Sequence, residues 1–397
     1  MESTVTTSRS RRILFGVTID YQLRYHEGLT ERLVSEGWEV HVVSTPGPNL
    51  ENLNQRAGIT SHPLMMTRRP NVLGDFLALV RWISVLRRIR PDVVLLGTPK
   101  AGLVGLAAAC ICRVPHRIYE LHGLRLESAK GVRRIILTYL ERITCSLASQ
   151  IVPVSTSLAE RAVEAGLLDA RSLTILGKGS PNGVDVEHFQ RAISDPTEIE
   201  HTRDTVGLNN ELPVVLFLGR LTEDKGIECL TKAASRLLQS APIQLLIVGP
   251  VDDPSGKLAL TALRETGVTV VWSGEVDDVA PYLAVADVLC LPSRREGLPT
   301  VILEAFASGV PVVATRATGI VDLVRNGQNG YLVAIDDESA LAIALHDAIS
   351  RKRESTRMAA AALRLVKTDY SRREVQDRWI GYLKGLCTED SGSGLSR

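Results

Sequence analysis

The sequence alternates short β-branched runs with longer amphipathic segments along almost its whole length. A first series of runs comprises "RRILFGV" (11–17), "EVHVVS" (39–44), "DVVLLG" (92–97), "HRIYEL" (116–121) and "QIVPV" (150–154). A second series comprises "PVVLFLGR" (213–220), "IQLLIVG" (243–249), "VTVVWSG" (268–274), "DVLCLPS" (287–293) and "VPVVAT" (310–315). Strands that alternate with helices favour parallel sheets covered by helices on both faces. We therefore predict an α/β fold with two Rossmann-like α/β/α domains in succession.

The length of 397 residues fits two domains of ordinary size. The predicted division is an N-terminal domain at 1–192, a linker at 193–212, a C-terminal domain at 213–369, and a C-terminal helix at 370–387 that returns to the first domain. Such sheets bind ligands at the carboxyl ends of their strands. We therefore expect the functional residues in loops after strands, along one cleft that both domains face.

Composition and charge argue against several classes of protein. A formal net charge of +1 argues against a general nucleic-acid binder. The longest apolar run, "AGLVGLAAACIC" (101–112), is shorter than the roughly 18 residues that a membrane span needs. The first residues, "MESTVTTSRSRR", lack the apolar stretch of a secretory signal. We predict a cytoplasmic protein whose cysteines are reduced thiols.

Neither a metal nor a cofactor is predicted. The adjacent pairs Asp277–Asp278 and Asp336–Asp337 fit helix caps better than a metal cluster of the D-x-D type. A nicotinamide dehydrogenase fits poorly, because no G-x-G-x-x-G follows the first strand run. Any charge that develops in the reaction would then be balanced by cationic side chains and a helix N-terminus.

The stretch "EGLPTVILEAFASGVPVVAT" (296–315) sets two glutamates around the start of a predicted helix. Glu296 precedes the helix and Glu304 lies about five residues into it, while Pro299 suits the first helical turn and Gly309 its end. The free backbone N–H groups near Gly297, Leu298 and Pro299–Thr300 are placed to bind an anion at this helix N-terminus. A ligand with hydroxyls at both ends and a diphosphate between them would match. The alternative is that both glutamates are merely solvated.

Three further side chains follow predicted strands. Arg220 and Lys225 come after "PVVLFLGR", where two cations can clamp a diphosphate. A purely structural pair is less favourable there, because the helix dipole disfavours cations at a helix start. His122 follows "HRIYEL" and precedes a glycine; by itself it is as compatible with a polar loop residue as with an active-site group.

Five segments in order resemble family 4 glycosyltransferases, retaining enzymes with the two-domain GT-B fold. In the C-terminal half, E-G-x-P with a second glutamate resembles the family's E-x7-E region, and "GRLTEDKG" (219–226) resembles G-R-x-x-x-x-K-G. "NGVDVEHF" (182–189) resembles a family turn. Two N-terminal segments, "TPKAGLVG" (98–105) and "YELHGLRLE" (119–127), resemble bacterial enzymes that build capsules and exopolysaccharides.

The resemblance implies a role for each candidate residue. Glu296 would orient the hydroxyls of the donor sugar, Glu304 the ribose, Arg220 and Lys225 the leaving diphosphate, while His122 would support the sugar. Further contacts to the donor are implied for Gly219, Gly274 and Val276, the last two through backbone beside the base. One departure concerns the loop after the first strand, where many members carry Gly-Gly and this chain reads "TIDYQLRYHEG" (18–28). Arg24 is a candidate substitute there, and Asp20 a candidate acceptor contact.

The predicted reaction is the transfer of a hexose or N-acetylhexosamine, with retention, from a nucleotide sugar to a glycan acceptor. A UDP-sugar is the expected donor, and the acceptor is expected on a polyprenyl carrier, as the resemblance to capsule enzymes implies. The alternatives are an epimerase of nucleotide sugars with the same fold and a two-domain protein that only binds a sugar.

Two basic amphipathic segments, "FLALVRWISVLRRIR" (76–90) and "AKGVRRIILTYLERI" (129–143), raise the question of membrane contact. The second carries Ile135, Tyr139 and Ile143 at helical spacing beside Arg133 and Arg134. Either these stripes face the domain core and the arginines are solvated, or part of this surface lies on the cytoplasmic leaflet as a peripheral contact. The first segment poses the same choice for Trp82.

Overall fold

The structure is a computed structural model that describes residues 10–67, 71–169 and 173–392. The chain divides into two compact units. The described residues of Met1–Val154, Ala159–Asn182 and Gln376–Arg397 form the first, and Ser155–Leu158 with Gly183–Val375 form the second.

The first unit is built on a sheet of six parallel strands in the order β3-β2-β1-β4-β5-β6. Its strands are β1 (Arg12–Gly16), β2 (Glu39–Ser44), β3 (Ile59–Pro63), β4 (Val93–Leu96), β5 (His116–Leu121) and β6 (Gln150–Pro153). The helices that alternate with them are α1 (Leu29–Ser35), α2 (Pro48–Asn54), α3 (Val72–Ile89), α4 (Pro99–Ile111), α5 (Gly131–Leu147) and α6 (Thr156–Glu164). A 3₁₀ helix, Asp20–His26, occupies the loop after β1.

The second unit repeats the pattern with the order β12-β11-β10-β7-β8-β9. Its strands are β7 (Val214–Leu218), β8 (Gln244–Val248), β9 (Thr269–Gly274), β10 (Val288–Leu291), β11 (Val312–Thr315) and β12 (Tyr331–Val333). Its helices begin with α7 (Val186–Ala192), α8 (Pro196–Val206), α9 (Ile227–Leu238), α10 (Pro254–Glu265), α11 (Ala280–Ala284) and α12 (Thr300–Ala307). They continue with α13 (Ile320–Leu323), α14 (Glu338–Ser350), α15 (Lys352–Leu365) and α16 (Arg372–Gly392), of which α16 runs on into the first unit.

The predicted α/β architecture with two parallel sheets is confirmed. Every β-branched run named above forms a strand, because helices cover both faces of each sheet and apolar side chains can point either way. All five residues of β7 are buried for this reason. Two strands were not predicted: β3, "ITSHP", and β12, "YLV". Both lie at the edge of a sheet, where a strand is short or partly polar and leaves no apolar run to recognise.

The boundaries of the compact units differ from the predicted domains. Residues 183–192 belong to the second unit, and the segment predicted as a linker contains α8. Asp195 caps this helix, since its side chain accepts hydrogen bonds from the backbone of Thr197 and Glu198. The larger part of α16 belongs to the first unit, where the buried Trp379 donates its indole N–H to the carbonyl of Pro181 at 3.2 Å.

Strand order reverses once in each sheet, between β1 and β4 and between β7 and β10. Loops that leave neighbouring strands at such a point diverge and open a crevice at the carboxyl edge, which is where ligands of these folds bind. In the second unit the loops after β7 and β10 touch there. A Cβ atom on Gly226 would lie 1.9 Å from the carbonyl oxygen of Pro292, and Gly226 has φ +72°. Only glycine permits this approach.

Candidate functional site

Glu296 lies in the loop after β10 and forms an ion pair with Lys225 from the loop after β7. Lys225 Nζ is 2.6 Å from Glu296 Oε1, and Ser293 Oγ donates to the same oxygen at 2.7 Å. Both bonds fall on Oε1, so Oε2 is the oxygen that remains for a ligand. The side chains are 19% and 10% exposed, which leaves each charge to be balanced mainly by the other.

Arg220 also follows β7, but it lies beside a different carboxylate. Its Nη1 donates to Asp252 at 2.9 Å, and the guanidinium is about half-exposed. Gly219, just before it, has φ +146°, and a Cβ on Gly249 would lie 2.0 Å from the Gly219 carbonyl oxygen. The backbone is therefore close-packed beneath Arg220, whose side chain extends outward on an exposed ion pair.

A second ion pair supports these loops and was missed by the sequence analysis. Arg295 donates to Asp224 at 2.7 Å, and the backbone N–H of Arg294 donates to the Asp224 carbonyl at 2.9 Å. Burial opposes ionisation of Asp224, yet the hydrogen bond from Thr222 and the charge of Arg295 hold its pKa below the usual value. The partners come from different loops, so no local pattern in the sequence could have indicated them.

Helix α12 begins a few residues after Glu296 in the chain. Its first residue is Thr300, and Pro299 is the N-cap rather than a residue of the first turn, with ψ 109°. The first hydrogen bond of the turn runs from Ile302 N–H to the Pro299 carbonyl, so the N–H groups of the preceding residues point toward the helix entrance. Leu298 is buried, and the carbonyl of Gly297 accepts from Ser155 Oγ at 2.7 Å.

Glu304 is the fifth residue of α12 and is half-buried. Burial raises the pKa of Glu304 to about 7; the negative charge of Asp278 adds to this, and Arg372 opposes it. A carboxyl with this pKa gains from hydrogen-bond donors in the ionised form, which hydroxyl groups of a ligand would supply.

The backbone predicted to border a base lies at the end of β9. Gly274 is the last residue of this strand, has φ +71°, and its carbonyl accepts from Gly249 N–H at 2.7 Å. Val276, two residues later, is half-buried. Gly249 thus connects the strand end before Arg220 to the loop that contains Val276.

His122 of the first unit directly follows β5. Its ring stacks on Tyr25 with centroids 4.8 Å apart and an interplanar angle of 25°. Its Nε2 lies 3.2 Å from Oε2 of Glu120. Tyr25 belongs to the 3₁₀ helix after β1, so the loop without Gly-Gly contributes an aromatic ring to the surroundings of His122.

The two other residues considered in that loop differ in role. Arg24 lies over the ring of Tyr21, 4.9 Å from its centroid. Asp20 is buried and accepts from the backbone of Asn49 at 3.0 Å and of Leu50 at 2.7 Å. The carboxylate of Asp20 caps the start of α2, and the hypothesis that Asp20 contacts an acceptor stays a prediction.

The acidic pairs take up structural contacts. Asp337 caps α14 by accepting from Ala340 N–H at 2.9 Å, and Asp336 pairs with Arg294 at 2.7 Å. Asp278 accepts from Ala280 N–H at 3.0 Å. Within residues 10–67, 71–169 and 173–392, three or more histidine, cysteine or acidic side chains nowhere form a cluster that could hold a metal ion.

Comparisons with known proteins agree on one kind of protein. The family described as "Glycosyl transferases group 1" matches residues 212–351, and "Glycosyl transferase 4-like domain" matches residues 23–179. The capsular polysaccharide biosynthesis glycosyltransferase CapM of Staphylococcus aureus is 32% identical over 340 residues, 84% of this chain and 86% of that protein. A UDP-Gal:alpha-D-GlcNAc-diphosphoundecaprenol alpha-1,3-galactosyltransferase of Escherichia coli is 25% identical over 77% of this chain and 79% of its own length.

Among solved structures, Anabaena Alr3699/HepE in complex with UDP and glucose superposes with a TM-score of 0.77 at 21% identity. The alignment covers 94% of this chain and 99% of that one. At this identity the likeness concerns the fold, and it extends over both units.

The pairing of Lys225 with Glu296 predicts a strong energetic coupling. We expect Lys225→Met and Glu296→Gln each to lower the free energy of unfolding by about 1–3 kcal/mol, because each leaves a poorly solvated partner unsatisfied. The double variant should lose clearly less than the sum, as measured by urea unfolding. The exposed pair Lys232 and Glu228 on α9 is the matched control, and its cycle should show coupling close to zero. Additive losses at Lys225 and Glu296 would contradict the pairing.

The raised pKa of Glu304 predicts a pH-dependent difference in stability between the wild type and Glu304→Gln. The folded-state pKa of about 7 exceeds the ordinary value of 4.5, so this carboxyl favours the folded state below about pH 4.5, and that contribution is lost as the pH rises to about 7. Relative to the wild type, Glu304→Gln should therefore gain stability from pH 5 to pH 8, by at most about 3 kcal/mol. A difference that stays constant between these pH values would refute the shift.

Proposed function

Since this chain belongs to the glycosyltransferase group 1 family, we propose that it transfers a hexose or N-acetylhexosamine from a UDP-sugar to a hydroxyl of a lipid-linked glycan. The transfer retains the anomeric configuration and serves polysaccharide biosynthesis. The family itself confirms the resemblance that the motifs predicted, and the two sheets with their flanking helices have the GT-B fold of the solved neighbours.

The observation that carries the proposal is the Lys225–Glu296 pair at the point where strand order reverses in the second unit. An ammonium group and a carboxylate side by side offer a donor for phosphate oxygens and an acceptor for sugar hydroxyls within one ligand's reach. Oε1 of Glu296 is engaged by Lys225 and Ser293, and Oε2 accepts from a hydroxyl of the donor sugar. The ion pair thus fixes both groups before the ligand arrives.

The diphosphate of the donor lies between Arg220, Lys225 and the start of α12. The guanidinium of Arg220, half-exposed on Asp252, can exchange this carboxylate for the diphosphate and bind it in a bidentate manner. Backbone of Gly219 and of Gly297, Leu298 and Pro299 completes this part of the site. Positive charge placed in advance around the leaving group stabilises the transition state without further reorganisation.

The nucleoside lies along α12 and the end of β9. Glu304 accepts from the ribose hydroxyls as a carboxylate, while backbone of Gly274 and Val276 borders the base. Because burial raises the pKa of Glu304 to about 7, binding of the donor at pH 6 releases a proton from this carboxyl. Affinity for UDP should accordingly rise between pH 6 and pH 8.

In the reaction, the bond between the anomeric carbon and the diphosphate oxygen breaks, and the acceptor oxygen bonds to this carbon on the same face. The acceptor proton passes to the departing diphosphate. Arg220 and Lys225 balance the charge on this leaving group, Glu296 holds the sugar, and His122 supports it. Arg24 of the first unit is a further residue that binds the nucleotide sugar. These side chains carry the positive charge that a divalent ion supplies in other transferases, so the proposed reaction needs no metal.

The names of the relatives support a UDP-sugar as the donor and a lipid-linked glycan as the acceptor. The structure of HepE was determined with UDP and glucose, and the relative from E. coli is named for a galactosyl donor and a diphosphoundecaprenol acceptor. CapM is named for capsular polysaccharide biosynthesis. All three are named or solved as sugar-nucleotide proteins or transferases, which favours transfer over the epimerase reaction.

A lipid-linked acceptor would be reached from a membrane surface, and the first unit has an apolar face suited to it. Ile135 and Tyr139 of α5 are 56% and 60% exposed, so the hypothesis that this stripe faces the core is wrong. Trp82 on α3 is buried, so this side chain faces the core. The large apolar side chains exposed on these two helices are Val72, Leu73, Phe76, Leu77, Val80, Val132, Ile135, Ile136, Tyr139, Leu140 and Ile143.

We assign this apolar face to an anionic bilayer surface. Arg133 and Arg134 are exposed next to Ile135, and Arg81 and Arg87 are exposed on α3, so the charge complements anionic headgroups. Helix α3 follows the carboxyl end of β3, and α5 follows that of β5. The first turns of both helices therefore lie at the edge of the sheet that also carries His122. Within the described residues, no helix has the length and hydrophobicity needed to cross a bilayer.

The function is tested with purified protein, UDP-hexoses and a synthetic diphosphate-linked sugar acceptor. We expect UDP release that depends on the acceptor, a retained anomeric configuration by NMR, and full activity in EDTA. Lys225→Ala and Glu296→Ala should nearly abolish turnover, while the matched control Lys232→Ala on the surface of α9 should not. Loss of activity in EDTA that manganese restores would contradict the proposed reaction without a metal. Near-normal turnover of Lys225→Ala or Glu296→Ala would contradict the proposed site.

Membrane contact is tested separately by co-sedimentation with phosphatidylglycerol vesicles. The protein should pellet with them at low salt and be released as salt rises, because screening shortens the range of the attraction. Changing Arg133 and Arg134 to glutamine should weaken binding by about 2 kcal/mol, roughly thirtyfold. Ile135→Ser should weaken it too, whereas Ile343→Ser, an exposed isoleucine of the second unit, should not. Protein that stays in the supernatant at low salt refutes the contact.

A further inference from the structure

A carboxylate and two imidazoles, those of Glu120, His26 and His122, form a cluster at the carboxyl end of β5. Glu120 is fully buried, and its Oε2 is 3.2 Å from His122 Nε2 and 3.8 Å from His26 Nε2. Neither oxygen of Glu120 has a hydrogen-bond partner among the residues that the structure describes, and the same holds for both ring nitrogens of His26 and for Nε2 of His122. Polar atoms without partners at this depth are costly, so their retention calls for a function.

The fold explains how these side chains meet. Glu120 is the last but one residue of β5, and His122 follows this strand, so both emerge at its carboxyl end. His26 ends the 3₁₀ helix after β1, and β4 lies between β1 and β5. Directly after β4, Gly97 leaves the space: a Cβ there would be 2.5 Å from His122 Nε2 and 3.3 Å from Glu120 Oε2. The cluster therefore occupies the point of reversed strand order in the first unit.

His122 is held on two sides. Tyr25 stacks on its ring at 4.8 Å and fixes the ring plane. Glu120 faces its Nε2 and so selects the rotation of the ring within that plane. With Nε2 enclosed, Nδ1 is the nitrogen that remains to meet a ligand.

The two imidazoles that face Glu120 differ in their surroundings. Burial lowers the pKa of His26 to about 4, although Glu120 opposes this, so His26 is neutral at physiological pH. His122 is the other titratable group that faces the carboxylate; Tyr25 faces the ring, and Gly97 brings no charge. The proton between Glu120 and His122 thus belongs on Nε2, where the carboxylate can accept it.

We propose that Glu120 is a positioning residue of the transfer reaction: from the present separation of 3.2 Å, a small turn of the His122 ring lets Glu120 accept the Nε2–H, which directs Nδ1 to a hydroxyl of the donor sugar. This inference rests on the role proposed for His122. In the neutral imidazole one nitrogen donates and the other accepts, so a proton fixed on Nε2 makes Nδ1 the acceptor.

Kinetics distinguish positioning from a merely structural role. Glu120→Gln should lower kcat by roughly tenfold to a hundredfold, as for other carboxylates that orient an imidazole, with little change in the KM for the donor. Glu120→Asp restores the charge and should recover part of kcat.

Glu141 provides the matched control. This half-buried carboxylate of the same unit accepts from the hydroxyl of Tyr119, the residue before Glu120 on β5, whose side chain points to the opposite face of the sheet. Glu141→Gln should leave kcat as in the wild type. An equal loss in both variants would mean that kcat reports stability alone, and the proposal would be wrong.

A second measurement needs no activity and no variant at position 120. Nitrogen-15 NMR of the wild type, with the His122 signals identified by their loss in His122→Gln, should show the proton on Nε2 at neutral pH. Protonation on Nδ1 or rapid exchange between both nitrogens would overturn the proposal, even if Glu120→Gln fails to fold.

The combined results distinguish the role of His122 from the role of Glu120. Near-normal kcat in His122→Gln would remove the proposed role of His122 in transfer, while the NMR result would still decide whether Glu120 holds the ring. A large loss in His122→Gln together with wild-type kinetics in Glu120→Gln would overturn this inference alone.

Discussion

Parallel pairing of β7 with β10 is the constraint on which the candidate site of the second unit depends. It brings together two loops whose charged residues, Lys225 and Glu296, are 71 positions apart in the chain. The contact between Gly226 and the Pro292 carbonyl leaves no room for a side chain, so the loops can hold the ion pair at 2.6 Å only in the assembled sheet. The same holds in the first unit, where the reversal between β1 and β4 brings the 3₁₀ helix with Tyr25 and His26 close to His122, the residue directly after β5.

Three carboxylates illustrate how surroundings assign different tasks to one functional group. Glu296 is poorly exposed, and its Oε1 accepts from Lys225 and Ser293, which leaves Oε2 to accept from a ligand. Glu304 lies half-buried beside Asp278, and burial raises its pKa to about 7, so its charge depends on whether a ligand donates to it. Glu120 is fully buried against imidazoles, and in our proposal it serves the ring of His122 rather than the substrate. Desolvation is common to all three, and the partner decides the outcome.

The surface of the first unit shows the opposite balance. Apolar side chains on α3 and α5 remain exposed, although Trp82 on the same stretch of α3 is buried. A helix on the face of a sheet buries one side only, and here the outward side is apolar and bordered by arginines. Such a face is costly in water, and in our proposal an anionic bilayer surface covers it.

The sequence by itself determined the architecture. The β-branched runs and the helical periodicity reflect burial on both faces of a parallel sheet, and each pattern can be recognised from residues that are neighbours in the sequence. It also determined the family, since Glu296, Glu304, Arg220 and Lys225 occur in recognisable order. It could not determine the contacts of these residues. That Asp20 caps α2, that Arg220 lies on Asp252, that Asp224 pairs with Arg295 and that Glu120 lies under His122 follow from loops of different strands meeting at one sheet edge. Only the tertiary structure decides such contacts, because a side chain's partner depends on distance in space, and the local pattern of the sequence does not record it.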